Sequence, residues 1–549
     1  MKRNTKNIIM ILIVLLSVGT IYLTMNYAKN NIKTVNNQSN NNMSPPSMEN
    51  TNTPPEKPSE DTKNETNTTL TWPYYVVFGV LSLIISLIII HLIMSKFNKK
   101  TFKETYENTD KIIIQILLAI ILTSSLTYID KIITDKYFIK EDQNPNQNIE
   151  NKTNITYSAN KEINEDTTIT EGTYTSLQED ENAILVTGDI DVNISNIKVT
   201  KTKDSDSGDN TSFYGMNSAI LAKDKANLTL KNVEITTNAK GANGVFSYGG
   251  SATTKNSSGD GTTIEISDSK ITTTKDNSGG IMTSGGGITN ATNLEITTSG
   301  VSSAAIRSDR GGGTINVNKG TYKTTGAGSP TIYSTANIKV SNANLISTAS
   351  EGIVIEGKNS VNIDNCNLTD TNNKLNGQST TYKNIFLYQS MSGDAEEGMA
   401  TFTATNSTIT TNKGDSFYVT NTKAQINLTN NKIINNDKTG NFLRIQKDSW
   451  GKSGSNGGNV TLNLTNQTIS GNIVVDQIST LNINMTDSSY EGAINNSNEE
   501  GKIVLNLDST STIKLTKDTY ITTLNNKDTT NSNINFNGYK LYVNNIAIN

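Results

Sequence analysis

Short segments with one recurring pattern of apolar and polar positions fill the chain from about residue 192 to residue 507. In each repeat two apolar residues lie two positions apart, Asn or Asp follows, and a third apolar residue comes next, as in Leu228, Leu230, Asn232 and Ile235. Alternation with a period of two predicts β-strands. Because the pattern returns at a nearly fixed interval, it predicts a solenoid in which each repeat forms one coil.

The repeats align on their first position, which is apolar in all but one coil. These anchors are Val192, Leu228, Ile264, Thr289, Ile315, Ile338, Val361, Phe402, Ile426, Leu462, Ile483 and Leu505. Seven of the eleven gaps between anchors are 21 to 26 residues long, and the longer gaps hold polar insertions. A second strand is predicted about seventeen residues after each anchor, beginning at Val245, Ile281, Ile306, Ile332, Ile355, Leu387 and Val419.

The fourth residue after each anchor forms a second row. Ten of these twelve positions are Asn or Asp, and the two exceptions are Lys319 and Ser509. Asn tolerates the left-handed backbone conformation that a tight turn needs. In coils stacked about 4.8 Å apart, its side chain also reaches the same residue on the next coil. The row therefore predicts one corner of the solenoid.

With its Asn row and its 21–26-residue coils, the chain resembles the right-handed parallel β-helix family of pectate-lyase-like proteins. The resemblance covers about residues 170–549 and implies an all-β, right-handed parallel β-helix of about twelve coils. It says little about activity, because this solenoid serves lyases, hydrolases, adhesins and binding modules. The predicted domain is 166–549, and its last residues, with Ile534, Phe536, Gly538, Leu541 and Val543, depart from the period and are predicted to cap the end.

Three apolar stretches precede the repeats. Residues 1–27, 72–95 and 112–130 are each long enough to span a bilayer, so we predict three transmembrane helices. The first stretch follows a basic start and has a cleaved signal peptide as its alternative, but no convincing cleavage site follows it.

The distribution of basic residues predicts the orientation of these helices. Lys2, Arg3 and Lys6 precede the apolar run of the first span, which begins at Ile8, and the loop 96–111 carries five lysines, so both regions are expected to be cytoplasmic. The polar linker 28–71, the stalk 131–165 and the β-helix are then extracellular. The predicted localisation is the cell membrane, with the lipid bilayer as one partner.

Composition narrows the chemistry of the predicted extracellular part. The net charge of −4 gives no basic footprint for nucleic acid. The one cysteine, Cys366, excludes an intrachain disulfide, and the one histidine, His91, lies in an apolar stretch outside the β-helix. β-Helix polygalacturonases use clustered Asp residues with a Gly-His-Gly segment, which the repeat region lacks. Polysaccharide lyases, which use Arg or Lys with calcium, remain open.

Arginine is scarce, so its positions are informative. The residues predicted to point outward from neighbouring second strands form a ligand-binding patch of Arg307, Asp309, Tyr333, Glu356 and Lys358, with Arg310 at its margin. Aromatic faces stack on sugar rings, and Arg matches a carboxylate with two parallel hydrogen bonds. The alternative is a ladder of ion pairs between coils. No catalytic residue is assigned.

The segment Asp204-Ser205-Asp206-Ser207-Gly208-Asp209 has alternating carboxylates that suit a hard cation. It predicts a calcium site at Asp204, Asp206 and Asp209, with a solvated loop as the alternative. Calcium is the one cofactor that the sequence suggests.

The sequence predicts a cell-surface protein that acts in adhesion or binds an extracellular polysaccharide, or the surface of a host or neighbouring cell. A calcium-dependent polysaccharide lyase built around Arg307 is the alternative from another class, and a passive spacer is the third.

Overall fold

The structure is a computed structural model that describes residues 155–252, 257–377 and 379–549. The three predicted transmembrane helices, the linker 28–71 and the loop 96–111 lie outside the described residues. Within the described ranges, no helix combines the length and the apolar character that crossing a bilayer requires.

The described chain consists almost entirely of short strands. Its first half contains β1 (Ser158–Ile163), β2 (Thr167–Ile169), β3 (Gly172–Ser176), β4 (Glu181–Thr187), β5 (Asp191–Ser195), β6 (Ile197–Lys201), the helix α1 (Asn210–Phe213), β7 (Ile220–Lys223), β8 (Asn227–Lys231), β9 (Glu234–Thr237), β10 (Val245–Tyr248), β11 (Thr263–Ser267), β12 (Lys270–Thr273), β13 (Ile281–Ser284), β14 (Gly287–Thr298), β15 (Ile306–Ser308), β16 (Gly313–Thr324), β17 (Ile332–Ser334), β18 (Asn337–Ser341), β19 (Asn344–Ser347) and β20 (Ile353–Glu356).

Its second half contains β21 (Ser360–Asp364), β22 (Asn367–Asp370), β23 (Lys383–Tyr388), β24 (Met399–Thr405), β25 (Thr408–Thr411), β26 (Asp415–Thr420), β27 (Lys423–Thr429), β28 (Lys432–Asn435), β29 (Leu443–Ile445), β30 (Asn459–Thr465), β31 (Thr468–Ser470), β32 (Ile473–Val475), β33 (Thr480–Thr486), β34 (Ser489–Gly492), β35 (Lys502–Leu507), β36 (Thr512–Leu515), β37 (Thr519–Ile521), β38 (Thr523–Asn526), β39 (Ile534–Asn535), β40 (Leu541–Val543) and β41 (Ile546–Ala547).

These strands form long parallel sheets that run along a parallel β-helix. The sheet named here the face sheet has the order β1-β4-β7-β10-β13-β15-β17-β20-β23-β26-β29-β32. A 22-stranded sheet holds the other strands of most coils, because two successive strands of each coil join it at the Asn corner. The prediction of an all-β fold with parallel stacked coils is therefore confirmed.

The register confirms the predicted anchors. Leu228 pairs with Val192 on one side and with Ile264 on the other, and the pairing continues without a break through every anchor to Leu505. The anchors and their apolar companions point inward and build one continuous core along the solenoid. Burial of these stacked aliphatic rows is the main source of stability in such a fold.

The Asn row also forms as predicted. Eleven of the twelve positions, all except Ser509, have φ between 47° and 65°. The side chains connect neighbouring coils: Asn232 Nδ2 donates to Asn196 Oδ1 over 2.7 Å, and Asn365 Nδ2 donates to Asn342 Oδ1 over 2.8 Å. At Lys319 the row is interrupted, and Asn342 instead donates to Asn318 Oδ1 over 2.8 Å.

We expect Lys319→Asn to stabilise the protein by about 1 kcal/mol, because Asn tolerates the left-handed conformation better than Lys and restores the ladder. Urea unfolding of the full-length chain, followed by circular dichroism, measures the change. Lys319→Gly is the control, since glycine relieves the backbone at φ 65° without adding an amide. Equal stability of the Asn and Gly variants would show that the ladder contributes nothing at this coil.

The ends of the solenoid differ from its middle. The first strand begins at Ser158 and pairs with β4, so part of the predicted stalk 131–165 belongs to the face sheet. At the other end, β40 and β41 form the one antiparallel pair among the described strands. This hairpin lies where the sequence predicts a cap, and a turn of this kind leaves a shorter free edge for another chain to join.

Candidate functional site

The outward side chains of the face sheet form one continuous row across its coils. In register they are Leu185, Leu221, Phe246, Met282, Arg307, Tyr333, Val354, Phe386, Tyr418, Arg444 and Val474. Part of the predicted row is corrected here. The equivalents of Ile332 are Ile353, Ile385 and Phe417, and the predicted Ile355, Leu387 and Val419 each lie two residues further on. Glu356 therefore follows Val354 in the same coil and is not in line with Tyr333.

Two apolar clusters lie on this face, one on each side of Arg307 and Tyr333. The first consists of Leu185, Leu221, Phe246 and Met282, and the second consists of Val354, Phe386, Tyr388 and Tyr418. Polar insertions fold over both. Gly215 packs against Leu221 and Phe246, and the Trp450 ring lies 5.3 Å from both the Phe386 and the Tyr388 rings. The face that the sequence predicts to be open is thus largely covered by loops.

Arg307 and Asp309 lie between the two clusters. Arg307 donates to the Asp309 carboxylate over 2.9 Å and to the carbonyl of Ser302 over 3.2 Å. The side chains are only 13% and 6% exposed, respectively. Burial raises the pKa of Asp309 to about 7, while Arg307 acts in the opposite direction. Arg307 therefore pairs with Asp309, and not with Glu356 as a ladder of ion pairs between coils would require.

Arg310 connects the insertions from the two sides of the face. Its Nε donates to Asp394 over 2.6 Å, and its guanidinium lies 4.1 Å from the centroid of the Phe213 ring. Asp394 belongs to the insertion 389–399, and Phe213 ends α1 on the opposite side. The side chain is 32% exposed, and within the described residues its two terminal nitrogens donate no hydrogen bond. Arg310 therefore presents a fixed, partly exposed cationic fork.

Glu356 is buried beneath the insertion 389–399. Its carboxylate accepts hydrogen bonds from the hydroxyls of Tyr333, Tyr388 and Ser390, the second over 3.0 Å. Burial raises its pKa, and the three hydroxyl donors act in the opposite direction. The Lys358 ammonium lies 3.7 Å from the Glu396 carboxylate. The structure thus brings Tyr333 and Glu356 together but uses both to hold a loop.

The predicted calcium ligands do not form a common set. Within the described ranges, no group of three or more acidic, histidine or cysteine side chains has a geometry that holds a metal ion. Asp204 accepts from the backbone N–H of Lys240 over 2.8 Å, and the Asp206 N–H donates to Glu179 over 3.0 Å. Asp209 precedes α1. Asp204 and the Asp206 backbone thus make contacts within the chain, and the calcium site stays a prediction.

The sequence interpretation missed a groove along the Asn corner. It has a volume of about 1020 Å³ and crosses five coils. Two ion pairs line it: Lys198 with Glu234 at 3.1 Å and Lys270 with Glu295 at 2.8 Å. The signal was available, because each of these residues lies two positions after its Asn or Asp. Phe213 and Asp394 were also missed, because both lie in aperiodic insertions.

Arg310 and Asp394 form the partly exposed edge of this charged site, and Phe213, Arg307, Asp309 and Glu356 are largely buried beneath it. No protein-family model, curated protein or solved structure matches the chain, so its function has to be inferred from the geometry of this site.

Proposed function

We propose that this chain is a membrane-anchored cell-surface protein whose right-handed β-helix binds an acidic extracellular polysaccharide at Arg310. The observation that supports the proposal is the guanidinium of Arg310. Phe213 and Asp394 hold it in place, and both terminal nitrogens remain for a ligand among the described contacts. A planar fork of this kind matches a uronate carboxylate with two parallel hydrogen bonds.

The surroundings of Arg310 suit a sugar. Tyr214 and Tyr248 make an edge-to-face pair with centroids 5.7 Å apart, and Phe213 and Tyr214 pair at 6.4 Å, so aromatic rings line one side. Apolar sugar faces stack on such rings, while hydroxyls bond to charged groups. Adhesion to a cell surface that carries such a polymer follows from the same contacts.

Binding of acidic glycans by the purified full-length chain, on a glycan array and by calorimetry, tests the proposal. We expect Arg310→Ala to weaken binding of polyuronates by at least about tenfold, because losing a charge-assisted bidentate contact costs more than about 1.4 kcal/mol. Arg310→Lys should recover only part of the affinity, since it keeps the charge but not the fork. Lys339→Ala, which removes an exposed cation on β18, is the control.

Equal binding by the wild-type chain and Arg310→Ala would contradict the assignment of the site. An absence of binding to every acidic and neutral glycan would favour the passive spacer.

A polysaccharide lyase is the second candidate, and the pairing of Asp309 with Arg307 at 2.9 Å, together with the burial that raises the pKa of Asp309, favours it. A carboxylate with such a pKa beside an arginine suits removal of the proton next to a uronate carboxyl group. Because the Asp309 side chain is only 6% exposed, a substrate has little access to it. We therefore rank polysaccharide binding above lyase activity. Growth of ultraviolet absorbance from unsaturated products, lost in Asp309→Asn, would establish the lyase.

A further inference from the structure

Three buried side chains at one turn of the solenoid carry acceptor oxygens that receive no hydrogen bond within the described residues. Neither carboxylate oxygen of Asp370 has a partner in good hydrogen-bond geometry there, although the Asn372 backbone N–H lies nearby, and Oδ1 of Asn372 and Oδ1 of Asn384 have no partner either. All three residues are fully buried. An orphaned acceptor in a protein interior costs free energy, so several of them at one place need a physical reason.

The three side chains border the same corner. Asp370 ends β22 and lies in register with Thr411, and Asn384 Nδ2 donates to Thr411 Oγ1 over 3.0 Å. Asn372 Nδ2 donates to the carbonyl of Lys383 over 2.9 Å, and Asn384 is the next residue. The side-chain nitrogens of Asn372 and Asn384 therefore both donate hydrogen bonds to the surrounding coil. Their side-chain oxygens remain as acceptors.

Asp370 departs from the pattern of its own row. The residues in register with it on the five preceding coils carry hydroxyls: Thr237, Thr273, Thr298, Thr324 and Ser347. Lys201 lies in register on the coil before these five. Several of these hydroxyls close the corner by donating to a backbone carbonyl, as Ser347 Oγ does to Ser350 over 2.8 Å. An ionised carboxylate cannot donate, so Asp370 in its ionised form needs a positive group beside it at this corner.

The neighbouring cation is already used. The Lys383 ammonium lies 3.4 Å from the Glu351 carboxylate, so these two charges offset each other and Asp370 keeps one unbalanced negative charge. Burial raises the pKa of Asp370 well above its usual range, and the charge of Glu351 acts in the same direction, while the nearby Asn372 N–H opposes it.

We propose that Asp370, Asn372 and Asn384 bind a monovalent cation, sodium, inside the β-helix. Carboxylate and amide oxygens are the ligands that hard cations prefer. One unbalanced carboxylate is neutralised by a single positive charge, whereas a divalent ion would leave a buried excess charge. The site is independent of the polysaccharide site, because among the described contacts no hydrogen bond or ion pair joins its residues to Arg310 or Asp394.

Thermal unfolding of the full-length chain at constant ionic strength in sodium, potassium or choline chloride tests this inference. A ligand that binds only the folded state raises the unfolding temperature. We expect the highest Tm in sodium, several degrees above that in choline, and a loss of this difference in Asp370→Thr, which introduces the residue of the row. Asp370→Asn is the second variant if the first does not fold, and Asp364→Asn, exposed on β21, is the control.

Equal Tm values of the wild-type chain in all three salts would overturn the proposal and indicate a protonated Asp370. The same salt response in Asp370→Thr and the wild type would overturn it as well. A rise that requires calcium, measured in a fourth sample, would overturn the assignment to a monovalent ion.

Discussion

Gly326→Ala is expected to destabilise the β-helix by about 3 kcal/mol, because overpacking against fixed backbone is costly. A Cβ atom at Gly326 would lie 1.7 Å from the carbonyl oxygen of Gly300 on the coil below, and one at Gly300 would lie 1.9 Å from the carbonyl of Lys275. The obstacles are backbone atoms, which cannot rotate away as a flexible side chain can. Relief would require two coils to separate at this corner and would weaken the hydrogen bonds between them.

Gly208→Ala is the matched control for this substitution. Gly208 has φ +58°, and an added methyl carbon there would meet no heavy atom of the described residues within 4 Å. Its replacement therefore costs only the backbone strain, about 1 kcal/mol. Urea unfolding of the full-length chain, followed by far-ultraviolet circular dichroism, measures both variants. A cost for Gly326→Ala no larger than that for Gly208→Ala would mean that the coils can move apart at little cost.

The sequence was sufficient to predict the stacking of the coils. The anchors repeat the same local chemistry at every turn, and the αL position accepts few residues besides Asn, Asp and Gly. Each coil therefore indicates the position of the corner independently of the others. Even Lys319 adopts the left-handed conformation there, with φ 65°. Repetition of this kind makes the register between Val192 and Leu505 readable without a structure.

The chemistry of the face could not be predicted in the same way, because the insertions do not repeat. The insertion before β23 hides where that strand begins, and Ile353 and Phe417 follow their anchors Ile338 and Phe402 by fifteen residues and not seventeen. The predicted Ile355, Leu387 and Val419 were therefore each two residues too late. The sequence also does not show that the insertion 389–399 lies over the face sheet. Glu356 therefore appeared exposed in the pattern, although it is only 1% exposed.

Asp370 shows an intermediate case. Its row of inward hydroxyls was visible in the sequence, since each member ends the strand after the Asn corner. That an acidic residue, Asp370, replaces a hydroxyl residue in this row can also be read from the sequence alone. What the sequence could not show is that Asn372 and Asn384, on either side of an insertion, return to the same corner.

Lys383→Met is expected to destabilise the protein by about 3–5 kcal/mol, because it leaves the buried Glu351 carboxylate without its cation. Lys383 is fully buried, and its ammonium lies 3.4 Å from Glu351 and 4.3 Å from the centroid of the Phe386 ring. Burial lowers the pKa of Lys383, while Glu351 acts in the opposite direction. Met keeps the apolar contact with the ring, so the loss measures the charge together with the hydrogen bonds that the ammonium donates to Ser379 and to the Thr381 carbonyl.

Urea unfolding of the two single variants Lys383→Met and Glu351→Gln and of the double variant measures their coupling. The double variant should be more stable than Lys383→Met alone, because the neutral amide leaves no buried charge unpaired. Lys358→Met is the control, since its side chain is 59% exposed and surface pairs contribute about 1 kcal/mol or less. Equal losses of stability in Lys383→Met and Lys358→Met would show that Glu351 becomes solvated or protonated once Lys383 is gone.

With Lys383 removed, the Glu351 carboxylate adds to the negative charge of Asp370. The sodium dependence of the Tm should therefore become stronger in Lys383→Met than in the wild type.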